Sequence, residues 1–395
     1  MENSTTKPFY NTTIPSDWEV KRLGEICSTF KSGNGITSED INEAGKYAVY
    51  GGNGLRGYTN RYTHEGNYFL IGRQGALCGN IVRVYGKNYI SEHAIAVQTD
   101  TENDNLFLAY KLEFQNLNRL SESSAQPGLS VEKLVRLKIA LPPLLEQRSI
   151  SHILGLMDSA INQNNQLIAQ KELRKKWLVQ NLLSGKKRVK GFDGVWKEVA
   201  LENVFNRVTR KNSEDNTNVV TISAQRGFVR QTDFFNKSIE SEIIDNYFLV
   251  EKGEFCYNKS YSNGYPWGAT KRLNDFDKAV VTTLYICFGI KDPSKTSGDF
   301  FEQYFEANLL DRGLTKIAYE GGRAHGLLNV TPSDFFSLKI TIPSFEEQTA
   351  IARVLQAADK EIQLLKAKTD KLREQKKGMM QVLLTGKKRI KNLNL

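Results

Sequence analysis

The chain has 395 residues, of which 40% are hydrophobic and 25% charged, and it carries a net charge of +10 at pH 7. This length predicts two or more domains, and the composition is that of a folded protein rather than a disordered or membrane one. No apolar run approaches the roughly 18 residues that span a bilayer, and the polar start of the chain has no signal-peptide core, so we expect a cytoplasmic protein that makes no membrane contact.

After an N-terminal tail, residues 1–17, the sequence predicts a first variable domain over residues 18–141. Short β-rich runs such as residues 68–71 and 80–85 alternate with glycine turns, which favours a twisted sheet with a few helices. Residues 50–62 combine arginine, asparagine and tyrosine with glycine. Arginine can pair with guanine and asparagine with adenine in the major groove. The candidate DNA contacts in this stretch are Asn53, Arg56, Tyr58, Asn60 and Arg61.

A long helical spacer is predicted next, over residues 142–190. Its apolar residues recur in steps of four and three, the pattern of a coiled-coil seam. Pro142 and Pro143 precede the helix and Gly185 follows it, as expected of helix start and stop signals. The seam residues that we assign to partner or coiled-coil contacts are Ile150, Leu154, Met157, Ile161 and Leu178.

The second half repeats this plan, with a variable domain over residues 191–342 and a helical spacer over residues 343–391. The β-rich runs again alternate with polar turns, so both domains are predicted to be α+β. Candidate DNA contacts in the second domain are Gln225, Arg226, Asn258, Lys259, Tyr261 and Asn263. The second seam contains Ile351, Leu355, Ile362, Leu365 and Leu372.

The two spacers are an internal repeat. Residues 137–190 align with residues 338–391 at a constant offset and without a gap, whereas the variable domains do not visibly align. Trp18 and Trp196 begin the two halves, each five residues before a leucine. A single stripe of this kind is typical of a core helix in a bundle. A matched pair in one chain favours an intramolecular antiparallel coiled coil.

The positive charge lies in the spacers rather than in the variable domains. Each spacer has an excess of six basic residues, so the rest of the chain is slightly acidic and would bind DNA through local patches. Each spacer ends in Gly-Lys-Lys-Arg. These basic ends could contact phosphates, complement the C-terminal dipole of the helix or be solvated, and we favour the dipole and solvation.

No enzyme constellation is found in the sequence. The glycine-rich cofactor loop and the Asn/Asp-Pro-Pro-aromatic clamp of adenine methyltransferases are absent, as is a phosphate-binding G-x-x-x-x-G-K-[ST] loop. The four histidines lie far apart, and no catalytic residue, bound cofactor or metal site is predicted. The four cysteines are widely spaced and are predicted to be buried free thiols.

These residues resemble a known family. The Trp-led domain, the Leu-Pro-Pro-Leu-Leu-Glu-Gln-Arg run at 141–148 with its long helix, and the second copy with Ile-Pro-Ser-Phe-Glu-Glu-Gln are similar to specificity (S) subunits of Type I restriction-modification systems, the HsdS family. Residues 51–54, 71–76 and 312–323 match further. The resemblance covers nearly the whole chain, and from these motifs it adds Arg73, Gln74 and Arg323 as candidate DNA contacts.

The resemblance implies a non-catalytic subunit with two target-recognition domains separated by two long helices. Each domain would read one half of an asymmetric bipartite site in double-stranded DNA. The helices would dock two methyltransferase (M) subunits, which bring S-adenosylmethionine, and restriction/translocase (R) subunits would bring ATP and Mg²⁺ chemistry. The sequence also leaves open a coiled-coil scaffold protein without a DNA-reading role. A DNA-modifying enzyme would need the motifs that are absent.

Overall fold

A computed structural model gives the structure of residues 6–75, 77–121, 128–230, 244–318 and 328–390. The chain forms two compact units, and the first comprises residues 1–166 and 366–395, while the second comprises residues 167–365. Each unit combines antiparallel strands with helices, so the predicted α+β class is confirmed. The division between the units passes through both long helices, and the boundaries of the predicted domains remain a prediction.

The first unit is built on a six-stranded sheet. The strands of this unit are β1 (Thr6–Phe9), β2 (Thr12–Pro15), β3 (Glu19–Arg22), β4 (Cys27–Ser32), β5 (Tyr47–Gly51), β6 (Gly54–Thr59), β7 (His64–Gly72), β8 (Ile81–Ile90), β9 (Ala94–Thr99) and β10 (Lys138–Leu141). Its helices are α1 (Asn105–Gln115), α2 (Val131–Val135) and the first half of α3 (Leu144–Leu182), with 3-10 turns at Leu23–Glu25, Ser38–Asp40 and Leu117–Leu120. The sheet order is β4-β9-β7-β8-β5-β6, while β3 pairs with β10 and β1 with β2.

The apolar run in β7 shows why this sheet is central. Phe69, Leu70 and Ile71 are consecutive and fully buried, because both faces of the strand are covered. Phe69 and Ile71 pack with α1, whereas Leu70 packs on the opposite face. Helix α1 begins at a defined cap, since the Asp104 carboxylate accepts a hydrogen bond of 2.7 Å from the backbone N–H of Phe107.

The second unit has several smaller antiparallel sheets. Its strands are β11 (Lys197–Ala200), β12 (Phe205–Val208), β13 (Val220–Ser223), β14 (Gly227–Arg230), β15 (Phe248–Glu251), β16 (Phe255–Asn258), β17 (Ala269–Arg272), β18 (Lys278–Val281), β19 (Ile286–Ile290) and β20 (Lys339–Ile342). Its helices are α4 (Leu201–Val204), α5 (Gly298–Glu306), α6 (Asp311–Ile317), α7 (Pro332–Ser337) and the first half of α8 (Phe345–Leu383). The second half of α3 also belongs to this unit, and the second half of α8 belongs to the first unit. The sheet orders are β12-β19-β16-β17, β15-β18, β13-β14 and β11-β20.

The two units share a core topology that the sequence does not reveal. In the first unit, the neighbouring strands β4-β9-β7-β8 are the first, fourth, second and third of this group along the chain. In the second unit, β12-β19-β16-β17 are arranged in the same way. A capped helix follows the last of these strands in each case, α1 after Asp104 and α5 after Ser297. The antiparallel pair that closes each unit, β3 with β10 or β11 with β20, is also equivalent.

Both predicted long helices are present, and within each unit their halves run antiparallel. In the first unit, Asp158 of α3 pairs with Lys376 of α8 at 2.7 Å, and Arg389 beyond the end of α8 pairs with Glu146 at the start of α3. The second unit repeats this arrangement with Asp359 and Lys175, and with Glu347 and Arg188. Gly185 and Gly386 follow the helix ends with φ of 70° and 75°, a conformation that glycine adopts without strain.

The seam residues are buried or half-buried in the structure. Ile150 and Leu154 at the start of α3 join the core of the first unit, and Ile351 and Leu355 at the start of α8 join the core of the second. The remaining six are Met157, Ile161, Leu178, Ile362, Leu365 and Leu372. The first turns of each helix therefore pack against domain residues as well as against the other helix. None of the described helices combines the length and the apolar character that a membrane span requires.

Candidate nucleic-acid interface

Three turns of the first unit contact one another: the turn between β5 and β6, the turn that follows β7, and the turn between β8 and β9. We call them the converging turns. The turn from β5 to β6 contacts the end of β7, because a Cβ placed on Gly52 would lie 2.9 Å from the Cα of Gly72. The turn from β8 to β9 joins both, since Ser91 N–H donates to the carbonyl of Tyr50 at 2.8 Å and Arg73 N–H donates to that of His93 at 3.0 Å. The glycines are thus required for contact between these turns.

The candidate DNA contacts of the first unit fall in two places. Asn53 and Arg56 lie exposed at or near the converging turns, together with exposed Gln74 and half-buried Arg73. Tyr58 lies near the end of β6, and Asn60 and Arg61 lie just beyond it, two to five residues along the chain from Arg56. Of these three, Tyr58 is half-buried, while Asn60 and Arg61 are exposed.

Arg61 already has partners within the protein. Its guanidinium donates to Asp40 at 2.8 Å and lies over the ring of Tyr89. Because the pair is solvent-exposed, the bond is weak and can be exchanged for a phosphate or a base. The role of Arg61 in binding DNA stays a prediction.

His93 belongs to the converging turns, although sequence reasoning missed it. Its Nδ1 lies 3.2 Å from Oε1 of Gln74 and its Nε2 lies 3.1 Å from Oε1 of Glu92. The histidine is about half exposed, so it is available to a ligand. The sequence offered no local signal, because a single histidine next to a glutamate is common on surfaces and its neighbour Gln74 is distant in the chain.

In the second unit, two segments far apart in sequence form one surface. The turn between β13 and β14 carries Gln225 and Arg226, and the loop between β16 and β17 spans residues 259–268. Gln225 Nε2 donates to the carbonyl of Asn263 at 3.0 Å. The turn therefore lies directly against the loop, and the predicted residues of both segments share one surface.

The six described candidates of this surface differ in what they can offer to a ligand. The side chains of Gln225, Arg226, Tyr261 and Asn263 are exposed, and Tyr261 has 63% of its surface accessible. Lys259 and Asn258 are half-buried. The exposed members are the stronger candidates, and all remain predictions. Arg323 lies outside the described residues.

Asn258 uses its amide within the protein. The Nδ2 group donates to the carbonyl of Ile222 at 3.1 Å, and Oδ1 accepts from the backbone N–H of Ser260 at 3.0 Å. These bonds fix the start of the loop to the neighbouring strand β13. The structure thus gives Asn258 a positional role, which leaves less of its amide for a base.

The Glu-Gln dipeptides at the two helix starts have roles that sequence analysis did not assign. Glu146 and Glu347 accept the guanidinium groups of Arg389 and Arg188, the arginines of the Gly-Lys-Lys-Arg runs. These carboxylates raise the pKa of both arginines. Neither arginine is simply solvated, so the prediction of solvated basic ends is wrong for these two residues, while the favourable interaction with the helix dipole stays a prediction.

The glutamines that follow bind the capped domain helices. Gln147 Oε1 accepts from the backbone N–H of Asp104 at 2.9 Å, and Gln348 Oε1 accepts from that of Ser297 at 2.9 Å. Each also donates from Nε2 to the carbonyl of a proline, Pro142 or Pro343, at 3.0 Å. The dipeptide therefore orients a domain helix against the start of a long helix in both units.

All four cysteines are free thiols, as predicted. The predicted burial is confirmed for Cys78, Cys256 and Cys287 but is wrong for Cys27, which is half-buried. Desolvation raises the pKa of the Cys27 thiol to about 12. The described residues contain no group of three or more His, Cys, Asp or Glu side chains that could hold a metal ion.

A family model decides what this architecture is. The model described as "Type I restriction modification DNA specificity domain" matches residues 15–172 and, a second time, residues 194–374. The chain belongs to this family. The two matches cover both variable regions and most of both long helices, which is the tandem organisation predicted from the repeat.

Several known proteins are similar to the chain. The EcoprrI specificity subunit of Escherichia coli is 40% identical over 146 residues, which are 36% of this chain and 36% of that protein. The MjaVIII specificity subunit of Methanocaldococcus jannaschii is 23% identical over 98% of this chain and 97% of its own length. The crystal structure of the S subunit from M. genitalium has a TM-score of 0.64 at 16% identity, covering 96% of this chain and 98% of that one, and shows the same fold.

Family membership favours one of the two functions that the sequence left open. A DNA specificity subunit is supported over a coiled-coil scaffold without a DNA-reading role. Membership in this family also implies a non-catalytic role for the chain.

Proposed function

We propose that the chain is the sequence-reading subunit of a Type I restriction-modification complex and that each unit reads one half of a bipartite DNA site. The observation that carries this proposal is the double match of one DNA specificity model to two units with the same core topology. The polar side chains that each unit presents are different, so the two half-sites differ. The site is therefore asymmetric.

The proposed reading surfaces are the converging turns of the first unit and the joined turn and loop of the second. Both present arginine, asparagine or glutamine side chains from short turns that hydrogen bonds hold in place. Side chains of this kind distinguish base pairs in the major groove. Since the variable domains, residues 18–141 and 191–342, together carry almost no net charge, their DNA contacts are local.

We further propose that the long helices dock two methyltransferase subunits. Helix α3 exposes Leu173 and Trp177, with 69% and 51% of their surfaces accessible, beside the basic residues Arg174 and Lys176. Exposed apolar side chains next to charged ones are typical of protein interfaces, and tryptophan and arginine often dominate their energetics. The equivalent positions of α8 are Glu374 and Gly378, so the two docked copies would meet different chemistry.

The chemistry of the complex belongs to its partners in this proposal. The methyltransferase subunits bind S-adenosylmethionine and transfer the methyl group, and restriction/translocase subunits use ATP and Mg²⁺. This chain selects the DNA and holds the partners beside it. We place the complex in the cytoplasm.

A domain exchange tests the reading function. Residues 18–141 are replaced by those of another specificity subunit, and the methylated adenines are mapped in cells that contain the methyltransferase subunit. The methylated sequence should change in one half only, and exchange of residues 191–342 should change the other half. A change in both halves on either exchange contradicts the proposal.

A second experiment tests the docking function. Leu173→Glu with Trp177→Glu should lower the uptake of one methyltransferase copy, measured by native mass spectrometry of the assembled complex. Gln170→Glu with Gln180→Glu adds the same charge at exposed polar positions of α3 and serves as the control. Full uptake of both copies by the first variant would exclude Leu173 and Trp177 from the interface.

A further inference from the structure

A buried lysine lies behind the loop of residues 259–268 in the second unit. Lys271 is on β17, and only 7% of its side chain is exposed. Its Nζ forms an ion pair with Glu306 at the end of α5 and donates to the hydroxyl of Tyr265 at 3.2 Å. The hydroxyl of Tyr265 in turn donates to Oε2 of Glu306 at 2.8 Å. We call Lys271, Glu306 and Tyr265 the Lys271 cluster.

The Lys271 cluster connects three separate elements. Lys271 comes from the sheet, Glu306 from a helix, and Tyr265 from the loop itself. Burial of an ammonium group costs free energy unless an opposite charge and hydrogen bonds compensate it. Lys271 therefore needs both Glu306 and the hydroxyl of Tyr265, and this need holds Tyr265 and its loop in place. Burial and the nearby Glu306 raise the pKa of Tyr265, so its hydroxyl keeps the proton that it donates.

Other contacts fix the loop on both sides of Tyr265. Asn308 Nδ2 donates to the carbonyl of Gly264 at 2.9 Å, and Tyr257 hydroxyl donates to that of Trp267 at 2.7 Å. Ser262 and Tyr265 exchange backbone hydrogen bonds that close a tight turn. Tyr261, which precedes this turn, points its side chain into solvent. The exposed part of the loop is thus held in one geometry from behind.

The first unit has an equivalent strand-to-helix ion pair, with arginine in place of lysine and without the loop contact. Glu113 and Glu306 are each the ninth residue after the N-cap of their helices, and Glu113 pairs with Arg83 of β8 at 2.7 Å. The Arg83 guanidinium lies over the ring of Tyr110, 4.1 Å from its centroid. Tyr110 belongs to helix α1, whereas Tyr265 belongs to a loop. The strand-to-helix pair is therefore part of the common scaffold, and its link to Tyr265 is specific to the second unit.

We propose that Lys271, Glu306 and Tyr265 are positioning residues that hold the loop of residues 259–268 in the conformation that reads the second half-site. They act through the loop and make no DNA contact themselves. A loop that is ordered before binding loses less conformational entropy on the DNA and places its side chains accurately against the bases. This inference rests on the proposed DNA-reading function.

The experiment uses Tyr265→Phe and Glu306→Gln in the full chain assembled with its methyltransferase subunits. Binding is measured to DNA with the mapped site, to DNA altered in the second half and to DNA altered in the first half. We expect each variant to lose about tenfold of its preference for the correct second half, the scale of one base contact, and to keep its preference for the first half. Glu113→Gln, at the equivalent position of the first unit, should keep its preference for the second half.

The other possible outcomes contradict either the proposed function or the positioning role. A wild-type complex that prefers neither half overturns the proposed function itself. Wild-type discrimination of the second half by both variants overturns only the positioning role. Equal loss of preference for both halves indicates general damage to the chain and also overturns it. Lys271→Arg keeps the charge and should retain more discrimination than Lys271→Met, whereas equal losses in these two variants contradict a role for the ion pair.

Discussion

Arg389 and Glu146 form a buried ion pair although 243 positions separate them in the chain. The guanidinium donates from Nε at 2.8 Å and from Nη2 at 2.7 Å, and the Glu146 side chain is only 5% exposed. Arg389 also binds Asp17 near the N-terminus. This pair therefore joins the start of one long helix to the segment beyond the end of the other.

Removal of Arg389 should strongly destabilise the first unit. Arg389→Met leaves the Glu146 carboxylate buried without its partner, a change that costs about 3 to 5 kcal/mol in comparable sites. Urea unfolding of the whole chain measures the loss. Glu146→Gln combined with Arg389→Met should recover part of the stability, and Arg136→Met, which breaks an exposed pair with Glu132, should cost less than about 1 kcal/mol. A similar loss in both arginine variants would contradict the role of burial.

Lys111→Met should change how stability depends on pH. Lys111 is buried beside the ring of Trp18 and donates to the carbonyl of Leu384, and its burial lowers its pKa from 10.5 to about 8. Between pH 8 and 10.5 the unfolded chain keeps this proton while the folded chain has lost it, so the free energy of unfolding of the wild type rises with pH in this window.

The variant lacks this rise. Its stability relative to the wild type should therefore fall between pH 8 and 10.5, by an amount on the order of 1 kcal/mol per pH unit, and stay constant below pH 8. Denaturant unfolding at several pH values measures the difference. Lys138→Met removes an exposed lysine of the same unit and should follow the wild-type profile. A parallel profile for Lys111→Met would show that the lysine is not buried as a cation.

Gly52→Ala should damage the converging turns of the first unit. The new Cβ would lie 2.7 Å from the carbonyl oxygen of His93 and 2.9 Å from the Cα of Gly72, which is too close for backbone atoms. We expect lower thermal stability and weaker discrimination of the first half-site. Gly35→Ala is the control, because no atom lies within 4 Å of its added Cβ. Tolerance of Gly52→Ala would mean that the turns do not pack as described.

Tyr261 and Asn258 should give opposite results although both were predicted to contact DNA. Tyr261→Ala removes an exposed side chain and should leave the unfolding free energy within about 0.5 kcal/mol while reducing discrimination of the second half-site. Asn258→Ala leaves the Ile222 carbonyl and the Ser260 N–H without their bonds and should cost about 1 to 3 kcal/mol. A larger loss of unfolding free energy in Tyr261→Ala than in Asn258→Ala would contradict the roles that we assign to the two residues.

The tandem plan and the long helices could be predicted from the amino-acid sequence alone. A helix is a local structure, so the seam of α3 and its repeat in α8, the prolines ahead of them and the glycines after them are sufficient to place both. The same repeat marked the Glu-Gln dipeptides as significant without indicating what they bind. The resemblance of these motifs to the specificity subunits indicated a DNA-reading function, and the family match supports it.

Which distant residues contact one another could be seen only in the folded chain. Pairing between strands joins segments that are distant in the chain, so the common order of β4-β9-β7-β8 and β12-β19-β16-β17 is not visible in sequences that do not align. For the same reason the contact of Gln225 with Asn263, and the partners of Glu146 and Glu347, could not be predicted. Polar residues that the sequence predicts to contact DNA can be exposed, as Tyr261 is, or already hydrogen-bonded within the protein, as Asn258 is. Only the packing of the folded chain distinguishes the two cases.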